Sequence, residues 1–312
     1  MKRFRIVFMG TPEFSVPCLR ALAEKTEIVG VITQPDKPRG RGQKLVPPPV
    51  KLFALEQGFK IYQPARIKDE EFVSVLQELR PDLMIVVAFG QILSQQILDI
   101  PKYGCINVHA SLLPQYRGAA PIQRCILAGE QITGVTTMFM DAGLDTGDML
   151  LKRTIPVSEN MTLEELHDAL MEMGSDVLIE TLEQLSDGTL QRVVQKDEES
   201  SYAPMISKET GHIDWNRSAR EIHNLVRGLD SWPGAYTFLK GEKYKIWKTC
   251  LADMESEKPA GTIVQANKLG LFVVTGCGCI EILELQAPSK KRMKAKDYLM
   301  GNGMELPARF EV

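Results

Sequence analysis

Asn107 and His109 stand two residues apart in the stretch CINVHA, and three carboxylates, Asp141, Asp145 and Asp148, follow downstream in the glycine-rich stretch DAGLDTGDML. On an extended strand, residues two apart share a face, so the Asn amide and the imidazole project together. An amide donor and a histidine can hydrogen-bond the oxyanion that forms when an amine attacks a carbonyl carbon, and one such donor is worth about 2.7–4 kcal/mol. A carboxylate beside the histidine fixes its tautomer and favours its charged form. The attacking amine must be neutral, which an α-amino group with a pKa near ~8 achieves at physiological pH. Nothing in the set is a nucleophile paired with a base, and Ser111 lacks the GxSxG elbow. The chemistry indicated is acyl transfer to an amine without a covalent enzyme intermediate. Spacing alone leaves open which aspartate takes part. It also leaves open a plainer reading, in which a strand-end histidine and a Gly-Asp turn serve only the fold.

The elements that must position these groups are legible as patterns. RIVFMG, IVGVIT, LMIVVAFG, CINVHA and GVTTMFM are short β-branched runs in the first 150 residues, separated by amphipathic stretches such as DEEFVSVLQEL and AAPIQRCILAGE. Near-continuous apolar strands alternating with helices predict an α/β, doubly wound, mostly parallel sheet, with its crevice at the carboxyl ends of the strands. CINVHA ends there, and so does GVTTMFM, the strand that leads into the carboxylates. GTPEF, after the first strand, lacks both GxGxxG and the Walker lysine, so it reads as a turn and helix start rather than a nucleotide cradle. A long helix is expected over about 162–185, opened by a Thr162/Glu165 capping box, with Leu166, Leu170, Met173, Val177 and Leu185 at helical spacing. Residues 187–209 lose periodicity and contain Pro204, which marks a connection. A helix capped by Ser218 and Glu221 follows, then five short strands, AYTFL, YKIWKTCL, GTIVQA, LFVVTG and IEILELQA, which suggest a small β-barrel of the oligonucleotide-binding type. The expected domains are 1–189, a linker 190–208, and a barrel domain 209–312.

At 312 residues, 44% hydrophobic and 25% charged, the chain can bury about three-quarters of its unfolded surface. LMIVVAF falls far short of the ~20 residues of a bilayer span, and Met1-Lys2-Arg3 leads into a strand-like run, so a cytoplasmic protein without membrane contact is expected. Six scattered cysteines suit reduced thiols, and Cys277-Gly-Cys279 has no neighbouring ligands to make a zinc site; no metal is expected. The net charge of -3 is uneven. Residues 205–312 hold 16 Lys and Arg against 13 Asp and Glu, whereas the preceding residues hold 21 against 27. SKKRMKAK (289–296) and KGEKYKIWK (240–248) concentrate the positive charge and point to a polyanionic partner. His167, His212 and His223 lack motif partners, and Trp215, Trp232 and Trp247 read as barrel core, with Trp247 among lysines leaving room for base stacking.

Taken together, NVHASLLPQYRGAAPIQ and DAGLDTGDML resemble the formyltransferases that use 10-formyltetrahydrofolate, and specifically the branch that acts on initiator methionyl-tRNA. GTPEF, QPDKPRGRGQKLVPPPVK, VVAFGQIL and YAPMISKETGHIDW extend the likeness along nearly the whole chain. The resemblance implies a Rossmann-like catalytic domain with Asn107, His109 and Asp145 as catalytic residues; Asp145 is singled out from its neighbours by its place in LDTG. It implies that Ser111, Leu112, Leu113 and Pro114 bind the folate, with the pterin near Phe89, Gly90, Gln91 and Ile92. It also gives the basic segment of residues 34–49 a use, as a loop that meets the tRNA acceptor stem through Arg41, with Arg39, Lys37 and Lys44 nearby, while Lys208, Lys290, Lys291 and Arg292 serve the same tRNA elsewhere. Gln115 and Tyr116 depart from the basic and larger aromatic residues that some members carry at the pocket lip. Taken alone, residues 34–49 read as a solvated loop whose prolines hinder helix and sheet. A monomer is expected. Two rivals stand beside this reading: a sister enzyme that formylates a nucleotide amino sugar or hydrolyses formyl-folate, and a noncatalytic RNA-binding protein, which would not need Asn, His and Asp around an apolar pocket.

Overall fold

The computed structural model describes residues 2–39, 44–302 and 304–312. In chain order the first elements are β1 (Arg5–Gly10), α1 (Val16–Lys25), β2 (Glu27–Ile32), β3 (Lys37–Arg39), β4 (Lys44–Val46), α2 (Pro49–Glu56), β5 (Ile61–Tyr62) and α3 (Glu70–Glu78). Then come β6 (Leu83–Val87), α4 (Gln95–Leu98), β7 (Cys105–His109), α5 (Pro121–Ala128), β8 (Ile132–Phe139), β9 (Met149–Pro156) and α6 (Leu163–Asp187). The remainder is α7 (Ala219–Gly228), β10 (Ala235–Leu239), β11 (Glu242–Ala252), β12 (Thr262–Asn267), β13 (Gly270–Val274), β14 (Cys279–Gln286), β15 (Met293–Lys294), α8 (Ala295–Gly301) and β16 (Ala308–Arg309).

By packing, the chain divides into two compact units. One comprises Met1–Gly118, Thr133–Ile155 and His167–Ala203; the other comprises Ala119–Ile132, Pro156–Leu166 and Pro204–Val312. The first is built on a seven-stranded sheet of order β5-β2-β1-β6-β7-β8-β9. Pairing is parallel from β5 through β7 and turns antiparallel between β7 and β8. The continuous apolar runs have the expected cause: β6 and β7 are buried at every position. One face of the sheet packs Val7, Met9, Met84, Val86 and Cys105 against Val73, Leu76 and Ile97 of the helices. On the other, α6 comes so close that a Cβ on Gly174 would stand 3.2 Å from Val108, and the Thr137 and Thr181 hydroxyls meet at 2.8 Å. Because Cys105 lies on the first face, alternation places Asn107 and His109 on that face too, at the end of the strand.

The long helix keeps its expected cap. Thr162 and Glu165 satisfy each other's backbone amides, and Ser218 and Glu221 do the same for α7, a device worth about 1 kcal/mol per helix. Three features of this unit differ from expectation. β8 runs antiparallel to β7, so GVTTMFM ends at the sheet edge opposite to the one where CINVHA ends. Residues 37–39 and 44–46 form an antiparallel hairpin rather than an irregular loop, because in a two-stranded ribbon Pro38 needs no partner for its missing amide. β9, not anticipated, extends the sheet beside β8, its outer half alternating between half-buried and exposed as an edge strand should.

In the second unit, all five expected strands form and pair antiparallel in the order β10-β11-β14-β13-β12-β16. The curled sheet is tied end to end where the Glu311 amide donates to the Phe238 carbonyl of β10 at 2.8 Å, giving the barrel-like closure. Fully buried Trp215 stacks on Phe310 and donates its indole N–H to Thr237 Oγ1. Trp232 departs from the core reading: it is 56% exposed. α5 packs in this unit, where Leu127 joins Ala120, Ile206, Leu225 and Leu229. All cysteines are free, burial pushes the thiols of Cys18 and Cys105 up to about 12, and no cluster of His, Cys, Asp or Glu among the described residues could hold a metal. No helix among the described residues is long and apolar enough to cross a membrane.

Candidate active site

The antiparallel turn of the sheet at β8 decides the geometry. β8 runs back alongside β7, with His109 opposite Thr136 and Ile106 opposite Phe139, and the chain then loops through residues 141–147 before entering β9. Gly147 makes this loop feasible, since any Cβ there would sit 1.9 Å from the Phe139 carbonyl oxygen.

The three aspartates separate at once. Asp141 Oδ1 accepts from the Gly143 amide at 3.0 Å and from Thr146 Oγ1 at 2.6 Å, so it builds the turn. Asp148 pairs with Arg192 Nε at 3.0 Å. Asp145 alone turns inward: its Oδ2 lies 3.8 Å from His109 Nδ1, with the two side chains only 14% and 7% exposed. The same oxygen accepts the Gly118 amide at 2.8 Å. Asp145 itself adopts φ 55°, in the left-handed region that Asp tolerates better than most residues.

His109 Nε2 meets the Tyr116 carbonyl oxygen at 2.9 Å. A carbonyl only accepts, so Nε2 carries hydrogen and Nδ1 is the nitrogen that faces the carboxylate. Asn107, 9% exposed, shares the face of β7 with His109.

The segment Ser111–Pro114 is held to the sheet by Thr136: its hydroxyl donates to the Ser111 carbonyl at 2.7 Å and accepts the Leu113 amide at 3.2 Å. The Ser111 hydroxyl donates to the Gln115 carbonyl, so it shapes the loop. Leu112, Leu113 and Pro114 form one wall of an open hollow of about 700 Å3, whose other walls are Gln115, Lys152, Thr154, Glu198 and Glu199. Asn107, His109 and Asp145 do not line it. Lys152 Nζ donates to the Leu113 carbonyl, and burial holds its ammonium below the ordinary lysine range.

After β6, Phe89 is buried, and its carbonyl accepts from Thr11 Oγ1 and Gln34 Nε2. Gln91 turns its amide to the Ile67 N–H and the Pro64 carbonyl, which leaves only its backbone for a ligand. Gly90 adopts φ 85° and Ile92 is 84% exposed. The two stretches expected to hold a flat ring thus offer apolar side chains and main-chain polar groups.

The pattern of matches to known proteins agrees with this geometry. Residues 3–182 match the family model described as formyl transferase, and residues 205–303 match formyl transferase, C-terminal domain. The methionyl-tRNA formyltransferase of Acetivibrio thermocellus is 53% identical over 300 residues, covering 96% of either chain. That of Clostridioides difficile is 53% identical over 302 residues, covering 96% of this chain and 98% of its own. The chain belongs to the methionyl-tRNA formyltransferase family.

Solved structures share the family's fold at lower identity. WlaRD, a sugar 3N-formyl transferase, superposes with a TM-score of 0.67 at 22% identity, over 93% of this chain and 100% of that one. HypX from Aquifex aeolicus gives 0.63 at 18%, over 96% of this chain, which spans 49% of HypX.

Of the basic residues singled out in the sequence, Lys37 and Lys44 stand exposed on the arms of the β3–β4 hairpin, Arg39 lies at the end of β3, and Arg41 lies outside the described residues. Lys208, Lys290 and Lys291 are exposed. Arg292 is not free: its guanidinium meets Glu284 at 2.8 Å and Asp230 at 3.3 Å and lies 5.0 Å over the Trp247 ring. His167 packs edge-on to Phe14, exposed His212 stacks on Tyr236, and buried His223 bonds Thr249 and the Glu159 carbonyl, so all three have structural partners. Sequence reasoning missed Gly118 and Gln195, both of which hold Asp145. Both are far from Asp145 in the chain; Gly118 stands inside NVHASLLPQYRGAAPIQ but without a chemical group of its own to mark it, and Gln195 lies outside every motif.

Proposed function

We propose that this enzyme transfers the formyl group of 10-formyltetrahydrofolate to the free amino group of methionyl initiator tRNA, giving formylmethionyl-tRNA. In this reading residues 1–189 carry the chemistry, 190–208 connect, and 209–312 bind tRNA. The folate lies against Phe89–Ile92 and Ser111–Pro114, whose apolar side chains suit an aromatic ring and whose backbone polar groups fix its orientation.

The neutral methionyl amine attacks the formyl carbon. A C–N bond forms to the amine, the bond from that carbon to the folate nitrogen breaks, the amine gives up a proton and the folate nitrogen gains one. The Asn107 amide donates to the developing oxyanion. The His109 ring, held by Tyr116 O in the absence of substrates, exchanges that carbonyl for the reacting group and completes the donor pair. Asp145 orients the ring, and its negative charge stabilises the positive charge that develops on the attacking nitrogen before its proton leaves.

The single observation that supports this most is the approach of Asp145, rather than Asp141 or Asp148, to His109 in a chain half-identical to methionyl-tRNA formyltransferases. Lys37, Arg39, Arg41 and Lys44 of residues 34–49, and Lys208, Lys290 and Lys291 toward the C-terminus, provide the phosphate contacts, with Arg292, already paired with Glu284 and Asp230, contributing less. The test is direct. The purified protein is mixed with 10-formyltetrahydrofolate and methionyl initiator tRNA, and formylmethionine is sought after deacylation. Absence of product, with formyl transfer to an amino sugar nucleotide or release of free formate instead, would replace this reading with a sister activity.

A further inference from the structure

Gln195 lies in the stretch that loses periodicity after α6, yet it is buried, 8% exposed, and every polar group of its amide is used. Its Nε2 donates to the Asp145 carbonyl and to the Gly147 carbonyl, both at 2.8 Å, and its Oε1 accepts from Arg117 Nε at 3.0 Å. The partners fix the amide's orientation, because two carbonyls can only accept and a guanidinium can only donate. Arg117 is anchored in turn. Its Nη1 meets Asp197 at 2.9 Å, its amide donates to the Ser201 carbonyl, and its carbonyl accepts the Ala203 amide at 2.7 Å. The next residue, Gly118, gives Asp145 its carboxylate donor; at φ 121°, a Cβ there would lie 2.8 Å from the Ala203 oxygen.

We propose that Gln195, braced by Arg117, is a positioning residue that sets the Asp145 carboxylate against His109; this rests on the catalytic role given to Asp145 above. Within the loop of residues 141–147, Asp141 holds the Gly143 amide and the Thr146 hydroxyl, whereas the Asp145 carbonyl is held from outside the loop by Gln195. Binding the carbonyls of Asp145 and Gly147 fixes the peptide that joins Asp145 to Thr146 and the peptide that joins Gly147 to Asp148. It holds Asp145 at its positive φ and so decides where Oδ2 points. In a water-excluded setting these hydrogen bonds have no competing solvent partner. Substrate geometry tolerates little looseness, and a displacement of about 1 Å can cost about 10²-fold in rate.

The test is a double-mutant cycle on the single-turnover formylation rate, with Gln195→Glu, Asp145→Asn and the pair. Gln195→Glu keeps the acceptor for Arg117 and turns the donor into an oxygen facing two carbonyls. The expected result is a rate lowered about 10²-fold, with KM for folate and for tRNA unchanged. In the Asp145→Asn background the same change should add almost nothing, because both act through one carboxylate. A merely structural role would give multiplying losses and a raised KM, which would overturn the proposal, as would a wild-type rate in Gln195→Glu. Gln195→Met repeats the cycle without added charge and decides the matter if Gln195→Glu does not fold. Wild-type turnover by Asp145→Asn would instead remove Asp145 from the mechanism, so failure of the underlying reading is seen separately.

Discussion

Asp145 Oδ2 lies 3.8 Å from His109 Nδ1 while accepting the Gly118 amide at 2.8 Å, so one oxygen links a strand end, a returning loop and the chain after the Ser111–Pro114 segment. Both side chains are largely buried, so solvent screens their interaction weakly. His109→Ala and Asp145→Ala are each expected to lower kcat about 10²–10⁴-fold while leaving the tRNA dissociation constant nearly unchanged. Rapid-quench turnover together with filter binding checks both halves; near-normal kcat in either variant would remove that residue from the chemistry.

Gly147→Ala places a methyl where the Phe139 carbonyl oxygen stands, so the loop of residues 141–147 must shift. The expected outcome is a kcat at least about 10-fold lower, because the carboxylate moves with the loop. Far-ultraviolet dichroism should remain native.

The basic residues should differ in their salt response. Arg41→Ala and Lys44→Ala are each expected to weaken tRNA binding and to lower the slope of log K against log salt by about 1. Arg292 is already paired with Glu284 and Asp230, so Arg292→Ala should change that slope less and instead lower thermal stability. Binding titrations across a salt series and melting curves distinguish the two behaviours.

His223 is buried in the second unit. Burial, then Arg227, pushes its pKa below the ordinary 6.5, with the Glu159 carbonyl and side chain opposing and Arg220 adding to the fall. A histidine with a depressed folded pKa stabilises the fold fully above the unfolded value and loses that contribution as pH falls through the folded one. The melting temperature should therefore drop as pH is lowered from 6.5, and His223→Gln should melt lower at neutral pH with a flatter acid limb. An unchanged limb would show that other groups govern it.

Much was legible along the chain because it is encoded locally. The runs of β6 and β7 announce strands buried on both faces, the Thr162/Glu165 and Ser218/Glu221 boxes announce helix starts, and the alternation of CINVHA puts Asn107 and His109 on one face. Sheet edges were less legible, since β9 is stabilised by its neighbour β8 more than by its own composition, and the prolines around Arg39 hid a hairpin that a two-stranded ribbon permits. Trp232 was misplaced because burial depends on neighbours that no local pattern names.

The sequence by itself determined the two architectures, the face that carries Asn107 and His109, and, through its motifs, the family. Choosing Asp145 on physical grounds required the fold. Asp141, Asp145 and Asp148 are chemically alike and within seven residues of one another, so only the way the loop folds back over Phe139, with Asp141 and Asp148 already spent on Thr146 and Arg192, leaves one carboxylate to turn inward. Gln195 and Gly118 belong to the same decision. A hydrogen bond between residues 50 or 27 positions apart depends on where distant segments meet in space, and that is set by packing rather than by spacing.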